Sequence, residues 1–153
     1  MEFERTSFQF LNNLKKNNNR DWFASHKEDY LRAQQNLKNI FEEILINLQK
    51  HDEIEKSKMM RIYRDVRFSK DKIPYKPHFA NSFSRLGKEL RGGYFLRIRP
   101  GESFLAGGFW EPNKEDLFRI RKEIELDASE IKDILNDKNY KKHFGGEFKS
   151  LSE

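Results

Sequence analysis

Over the first fifty positions the apolar residues recur at helical spacing. Phe8, Leu11 and Leu14 stand three apart and predict a short helix, with Thr6 or Ser7 as its cap. The run Asn17 to Arg20 stops it, because Asn readily takes turn conformations. Asp21-Trp22-Phe23 opens a second helix with an acid at its positive end. A longer helix follows a kink near His26, with Tyr30, Leu37, Phe41, Ile44, Leu45 and Leu48 forming one apolar stripe.

After the polar stretch His51 to Ser57 the period shortens to two. Met60, Ile62 and Val66 alternate with Arg61, Tyr63 and Asp65, which predicts a strand running into a loop. The same alternation marks Phe79 to Arg85 and Tyr94 to Arg99, and a turn at Pro100-Gly101-Glu102 leads to a strand over Ser103 to Trp110. Pro112 and Asn113 open a helix carrying Leu117, Ile120 and Ile124, a last helix lies near Ser129 to Asn136, and Gly145-Gly146 ends the regular pattern. The sum is an α+β fold. An antiparallel sheet of four to five strands is expected, with N- and C-terminal helices packed mainly on one face. No repeat or linker interrupts residues 1–153, so one domain is expected.

Composition supports a packed core despite a mean hydropathy of -0.96, because 14 Phe, 5 Tyr and 2 Trp supply large apolar surfaces. There is no cysteine, which excludes disulfides and thiolate metal sites. The acidic start and the lack of a long apolar run point to the cytoplasm and away from a membrane. The net charge is only +5, yet Lys56 to Arg99 holds thirteen bases against Asp65, Asp71 and Glu89. Seven of the thirteen are Arg, so a Lys-rich composition alone does not explain the imbalance. Such asymmetry favours an anionic partner.

The densest part is Arg64-Asp65-Val66-Arg67-Phe68-Ser69-Lys70-Asp71-Lys72-Ile73-Pro74-Tyr75-Lys76. Arg offers a planar fork for carboxylate or phosphate, Lys adds a mobile point charge, and Pro74 stiffens the backbone between Lys72 and Tyr75. Arg64, Arg67, Lys70, Lys72 and Lys76 are therefore candidate anion-holding residues, Tyr75 a candidate hydroxyl donor, and Asp65 and Asp71 the acids that orient the bases. The plain structural alternative is that the two acids merely pin the loop by pairing with Arg64, Arg67 or Lys72. This segment resembles the hallmark of a bacterial and fungal family known as a domain of unknown function. Phe10-Leu11-Asn12-Asn13-Leu14 with Asn17 to Phe23 is similar to that family's opening, and Gly107-Gly108-Phe109-Trp110-Glu111-Pro112 to its glycine-tryptophan strand. The resemblance implies a shared α+β fold and carries no activity. It also implies two departures: Ala106 stands where the family usually has a third glycine, and family members continue past residue 153. Phe144, Phe148 and Leu151 keep apolar character to the end, so an uncovered apolar face or sheet edge is expected.

Other chemistry is weakly signalled. Neither G-x-G-x-x-G nor G-x-x-x-x-G-K-[ST] occurs, so no nucleotide-cofactor pattern is present. Gly92-Gly93 reads as a turn and Gly107-Gly108 as a bulge or close contact. His26, His51, His78 and His143 lack metal-ligand spacing. Asp65, flanked by Arg64 and Arg67, should have a lowered pKa and be a poor general base. Trp22, Phe23 and Trp110 read as core. The leading reading is binding of a small anionic ligand such as a nucleotide, sugar phosphate or carboxylate, with turnover left open. The alternatives are a nucleic-acid module using Arg61, Tyr63, Arg97 and Arg99 on a sheet face, and a protein-interaction domain.

Overall fold

A computed structural model describes residues 2–145. The chain divides into two compact units, Met1–Trp110 and Glu111–Glu153. The first contains α1 (Arg5–Lys16), α2 (Arg20–Ser25), α3 (Lys27–Leu48), β1 (Ile54–Met59), β2 (Phe79–Arg85), β3 (Gly93–Ile98) and β4 (Phe104–Gly108). The strands form one antiparallel sheet in chain order, β1-β2-β3-β4. The protein is thus α+β, with helices before and after a four-stranded antiparallel sheet.

Helix α1 buries Ser7, Phe10, Leu11 and Leu14, the three-four-three spacing of one helical face. Its N-cap is Glu4, which makes no side-chain cap bond, and the expected capping residues Thr6 and Ser7 lie inside the helix. The capping work comes from α3 instead. The buried Asn36 accepts from the Glu4 amide at 3.2 Å and from Ser7 Oγ at 3.1 Å, and its Nδ2 donates to the Glu2 carbonyl. Helix α2 is capped by Asn19, whose Oδ1 accepts from the Trp22 amide at 2.9 Å. At His26 the helical path breaks, and α3 begins one residue later.

Helices α1 to α3 cover one face of the sheet. Phe79, Asn81 and Phe83 of β2 are buried, and their partners across β3 are Ile98, Leu96 and Tyr94. Phe10, Leu11, Leu14, Phe23, Tyr30, Leu37 and Phe41 from the helices complete that core. At one end of the sheet, Asp52 receives Arg85 Nε at 3.0 Å and the Tyr94 hydroxyl at 2.9 Å, tying β2 and β3 to the α3–β1 connection. Burial alone would raise the Asp52 pKa, but the bonds from Tyr94, Arg85 and the Glu53 amide, with the charge of Arg85, hold it below its ordinary value.

Two expectations are corrected. The first strand is Ile54–Met59, most of it within the His51 to Ser57 stretch read as polar, and not Met60 to Val66. It is an edge strand that buries Ile54 and leaves Glu55 to Lys58 exposed, so ladder bonds to β2 define it where apolar alternation is absent. Met60 adds one more bond, to the Ala80 carbonyl, and the chain then leaves the sheet while Ile62 turns into the core. Trp110 is 85% exposed and is no core residue. Gly92 stands in the β2–β3 connection with φ +87, as a turn glycine, while Gly93 opens β3 opposite Gly108, where a Cβ would collide with the Phe83 carbonyl.

The second unit holds α4 (Lys114–Leu126), α5 (Ser129–Asn136) and α6 (Lys138–Phe144). Asn113 caps α4 by accepting from the Asp116 amide at 2.9 Å. Helix α6 has no counterpart in the sequence pattern, although Asp137 caps it, and Gly145 closes it with φ +82. Phe118, Leu126, Ile134 and Phe144 are exposed. On the sheet, Leu105 of β4 is exposed as well. Phe148 and Leu151 lie outside the described residues.

Candidate anion-binding site

The Arg64–Lys76 segment leaves and rejoins the body of the unit through a short pinned stem. Tyr63 and Tyr75 form an antiparallel bridge, flanked by Arg64 N–H to the Pro74 carbonyl at 2.9 Å and Lys76 N–H to the Ile62 carbonyl at 2.8 Å. Asn18, in the α1–α2 turn, holds the stem from outside. Its Nδ2 donates to the Tyr75 carbonyl at 2.9 Å, and its Oδ1 accepts from the Tyr75 amide at 3.1 Å. Ring stacking completes the attachment. Tyr75, only 6% exposed, lies 4.0 Å from the Phe23 ring at 13°, and Lys27 caps the cluster by donating to the Tyr63 hydroxyl. Burial raises the Tyr75 pKa.

Within the loop the acids and bases pair. Arg64 reaches Asp71 at 2.7 Å, and Arg67 holds Asp65 by a two-pronged contact at 3.0 and 2.7 Å. Asp65 also accepts from the Arg67 amide, and Asp71 from the Ile73 amide at 2.9 Å. These bonds, led by the Arg67 side chain for Asp65 and the Arg64 side chain for Asp71, lower both carboxylate pKa values. Lys72 Nζ donates to the Val66 carbonyl at 3.0 Å. The expected pairing of loop acids with loop bases is therefore present. Phe68 projects from the pinned loop at 96% exposure, and an open groove runs between Lys72, Ile73 and Arg20.

Of the candidate residues, Arg64, Asp65, Arg67, Asp71 and Lys72 are thus engaged with one another or with the loop backbone. Tyr75 is in the core. Lys70 and Lys76 make no ion pair among the described residues. Lys76 belongs to a second cationic group at the far end of the segment, one that the sequence reading did not assemble.

The register builds that group. Phe79 pairs with Ile98 and Ala80 with Arg97, so Ala80 and Arg97 share the face turned away from Phe79 and Phe83. His78 and Arg99 lie just past the ends of β2 and β3, close enough that the charges of Lys76, Arg97 and Arg99 all act on the His78 ring. Arg97 lies over the Phe104 ring at 4.5 Å, and Arg99 pairs with Glu102 at 3.1 Å. His78 is pushed down to about 4, first by burial and then by the charges of Arg97, Lys76 and Arg99, so it is neutral at pH 7. Three buried nitrogens in the group lack a partner within the described residues: His78 Nδ1, Arg97 Nε and Arg99 Nε.

An unmet buried donor or acceptor costs about 1–3 kcal/mol, and native structures carry few of them. Three within one small group, two of them on guanidinium cations, suit an oxyanion. Of the four residues considered for a nucleic-acid face, Arg97 and Arg99 share this surface, while Arg61 and Tyr63 stand off the sheet beside the pinned loop. Two sequence signals, Lys76-x-His78 and Arg97-x-Arg99, were legible. Their juxtaposition required the β2–β3 register.

Residues 6–152 match the family model described as Conserved hypothetical protein (DUF2461). No curated protein and no solved structure matches the chain. Among the described residues, no helix is long and apolar enough to cross a membrane.

Proposed function

The chain belongs to this conserved hypothetical family, and from that premise we propose that it binds a small anionic ligand at Lys76, His78, Arg97 and Arg99. The supporting observation is the set of three unpartnered buried nitrogens among Lys76, Arg97 and Arg99, of which only Arg99 has an acid, Glu102, beside it. Arg97 and Arg99 would donate Nε–H bonds to the anion, and Lys76 would add charge without fixed geometry. The rest of Arg64 to Lys76 serves as a stiff support that delivers Lys76, because Arg64 and Arg67 are paired with Asp71 and Asp65 and Lys72 Nζ is turned onto the Val66 carbonyl. The protein working in the cytoplasm is part of the same reading.

The test is a titration of the wild-type protein with small oxyanions, followed by Arg97→Ala, Arg99→Ala, Arg67→Ala and Lys72→Ala. Each lost charge-assisted bond is worth about 1.5–3 kcal/mol, which is roughly a tenfold to hundredfold loss of affinity. That loss is expected for Arg97→Ala and Arg99→Ala, with Arg67→Ala and Lys72→Ala changing affinity by much less. A nucleic-acid module would instead bind oligonucleotides with affinity that collapses as salt is added. Absence of any oxyanion binding would sink the proposal.

A further inference from the structure

We infer that the anion this cluster selects is one that carries its own hydroxyl, such as hydrogen phosphate, and that His78 Nδ1 accepts the hydroxyl proton. The inference rests on the anion-binding reading above and adds the chemical class of the ligand.

The argument is a matching of donors and acceptors. Arg97 Nε and Arg99 Nε can only donate, since a guanidinium has no acceptor. A neutral imidazole has one N–H and one lone pair, and which nitrogen holds the proton depends on its surroundings. Around His78 those surroundings are Lys76, Arg97 and Arg99, all positive. A positive field favours the lone pair facing it and disfavours an N–H pointing the same way. Nδ1, the buried ring nitrogen with no protein partner, is then an acceptor. The vacant set is two cationic donors and one neutral acceptor.

A bare dianion such as sulfate satisfies the two donors and turns a third oxygen lone pair on that of Nδ1. An oxyanion with one O–H satisfies all three. At neutral pH inorganic phosphate always keeps at least one P–OH, and sulfate keeps none, although the two ions share size and tetrahedral shape. Charge alone would favour sulfate, which is fully dianionic at pH 7. A preference for phosphate therefore reports the acceptor. The same logic rejects analogues that lack a required hydrogen-bonding group, because a buried polar atom is left unpaired.

The experiment is calorimetric titration of the full chain with sodium phosphate and with sodium sulfate at pH 7 and constant ionic strength. It is repeated on His78→Asn, whose amide oxygen can accept in place of Nδ1, and on His78→Phe, which removes the acceptor and keeps a planar ring. Wild type should bind phosphate at least about tenfold more tightly than sulfate, the factor expected for about one hydrogen bond. His78→Asn should retain most of that ratio, and His78→Phe should bring it close to one. Equal binding of both ions by wild type overturns the hydroxyl inference and leaves the anion-binding proposal standing. A ratio unchanged in His78→Phe also overturns the inference. Binding of neither ion overturns both. A melting curve on each variant separates lost folding from lost selectivity, and the wild-type ratio decides the matter even if His78→Phe does not fold.

Discussion

The side-chain amide of Asn18 closes a pair of hydrogen bonds on the backbone of Tyr75, accepting from its N–H and donating to its carbonyl. One side chain in the α1–α2 turn thus acts as a strand partner for the end of the Arg64–Lys76 segment, fifty-seven positions away. Asn18→Ala removes both bonds and leaves two part-buried backbone groups to find water. We expect a cost of about 1–3 kcal/mol, or a melting temperature lower by about 2–10 °C for a domain of this size. Asn18→Asp keeps the acceptor and loses the donor, so it should fall between the two. A variant as stable as wild type would show that the stem is held by the Tyr75–Phe23 stack alone.

His78 makes stability depend on pH in a defined window. In the unfolded chain it titrates near 6.5, and in the folded protein near 4. Between those values the unfolded chain takes up the proton and the folded protein does not, so stability falls as pH drops through the window. Above pH 6.5 neither state is charged and the effect vanishes. The full shift sets a ceiling of about 3 kcal/mol, which solvent at this half-buried ring reduces. Urea denaturation between pH 7 and pH 4 should show this loss in wild type and a shallower one in His78→Phe. Under the anion-binding proposal an oxyanion at this cluster would offset the charges of Lys76 and Arg97, and saturating phosphate should then flatten the same limb.

The paired glycines make a contrast that is easily measured. A Cβ on Gly93 would strike the Phe83 carbonyl, which is ladder backbone and cannot move aside. A Cβ on Gly107 would meet only the Tyr94 ring, at 3.4 Å, an ordinary contact. Gly93→Ala should cost about 2–4 kcal/mol, and Gly107→Ala under about 0.5 kcal/mol. Equal effects in chemical denaturation would mean that the β2–β3–β4 register differs from the one described.

Much of this architecture was legible because burial follows period. The stripe on α3 and the alternation in β2 and β3 each placed residues in the core that are found there, among them Leu37, Phe41, Phe79 and Phe83. Strand β1 was not legible, since an edge strand with one buried residue carries no alternation. Asn36 and Asn18 act at a distance, and nothing local in the sequence marks them as the partners of α1 and Tyr75. At the candidate site, charge is densest over Arg64 to Lys76, where both acids are taken up by Arg64 and Arg67. Lys76, His78, Arg97 and Arg99 are individually unremarkable, and only the pairing of Ala80 with Arg97 brings them together.

The loop pins offer the last test, because they separate rigidity from stability. Asp71 holds the loop at two points, the Arg64 guanidinium and the Ile73 amide, and both partners are close to solvent. Exposed ion pairs contribute little to global stability, a median of about 0–1 kcal/mol, so Asp71→Ala should leave the melting temperature nearly unchanged. Local opening is another matter, since the Ile73 amide loses its acceptor outright. Its hydrogen exchange should quicken by about fivefold to tenfold, which corresponds to about 1 kcal/mol of local protection. Asp65→Ala should act in the same way at the Arg67 amide and leave Ile73 alone. Because the Arg64 bond keeps the Asp71 pKa below the ordinary value, the folded state resists protonation there. The pin is therefore lost at a lower pH than an unpaired carboxylate's titration would give. Exchange measured by mass spectrometry on peptides spanning 64–76 reads both effects. Slow, unchanged exchange at Ile73 in Asp71→Ala would assign the loop's order to Pro74 and the Asn18 clamp, and the acids would then serve only to neutralise Arg64 and Arg67.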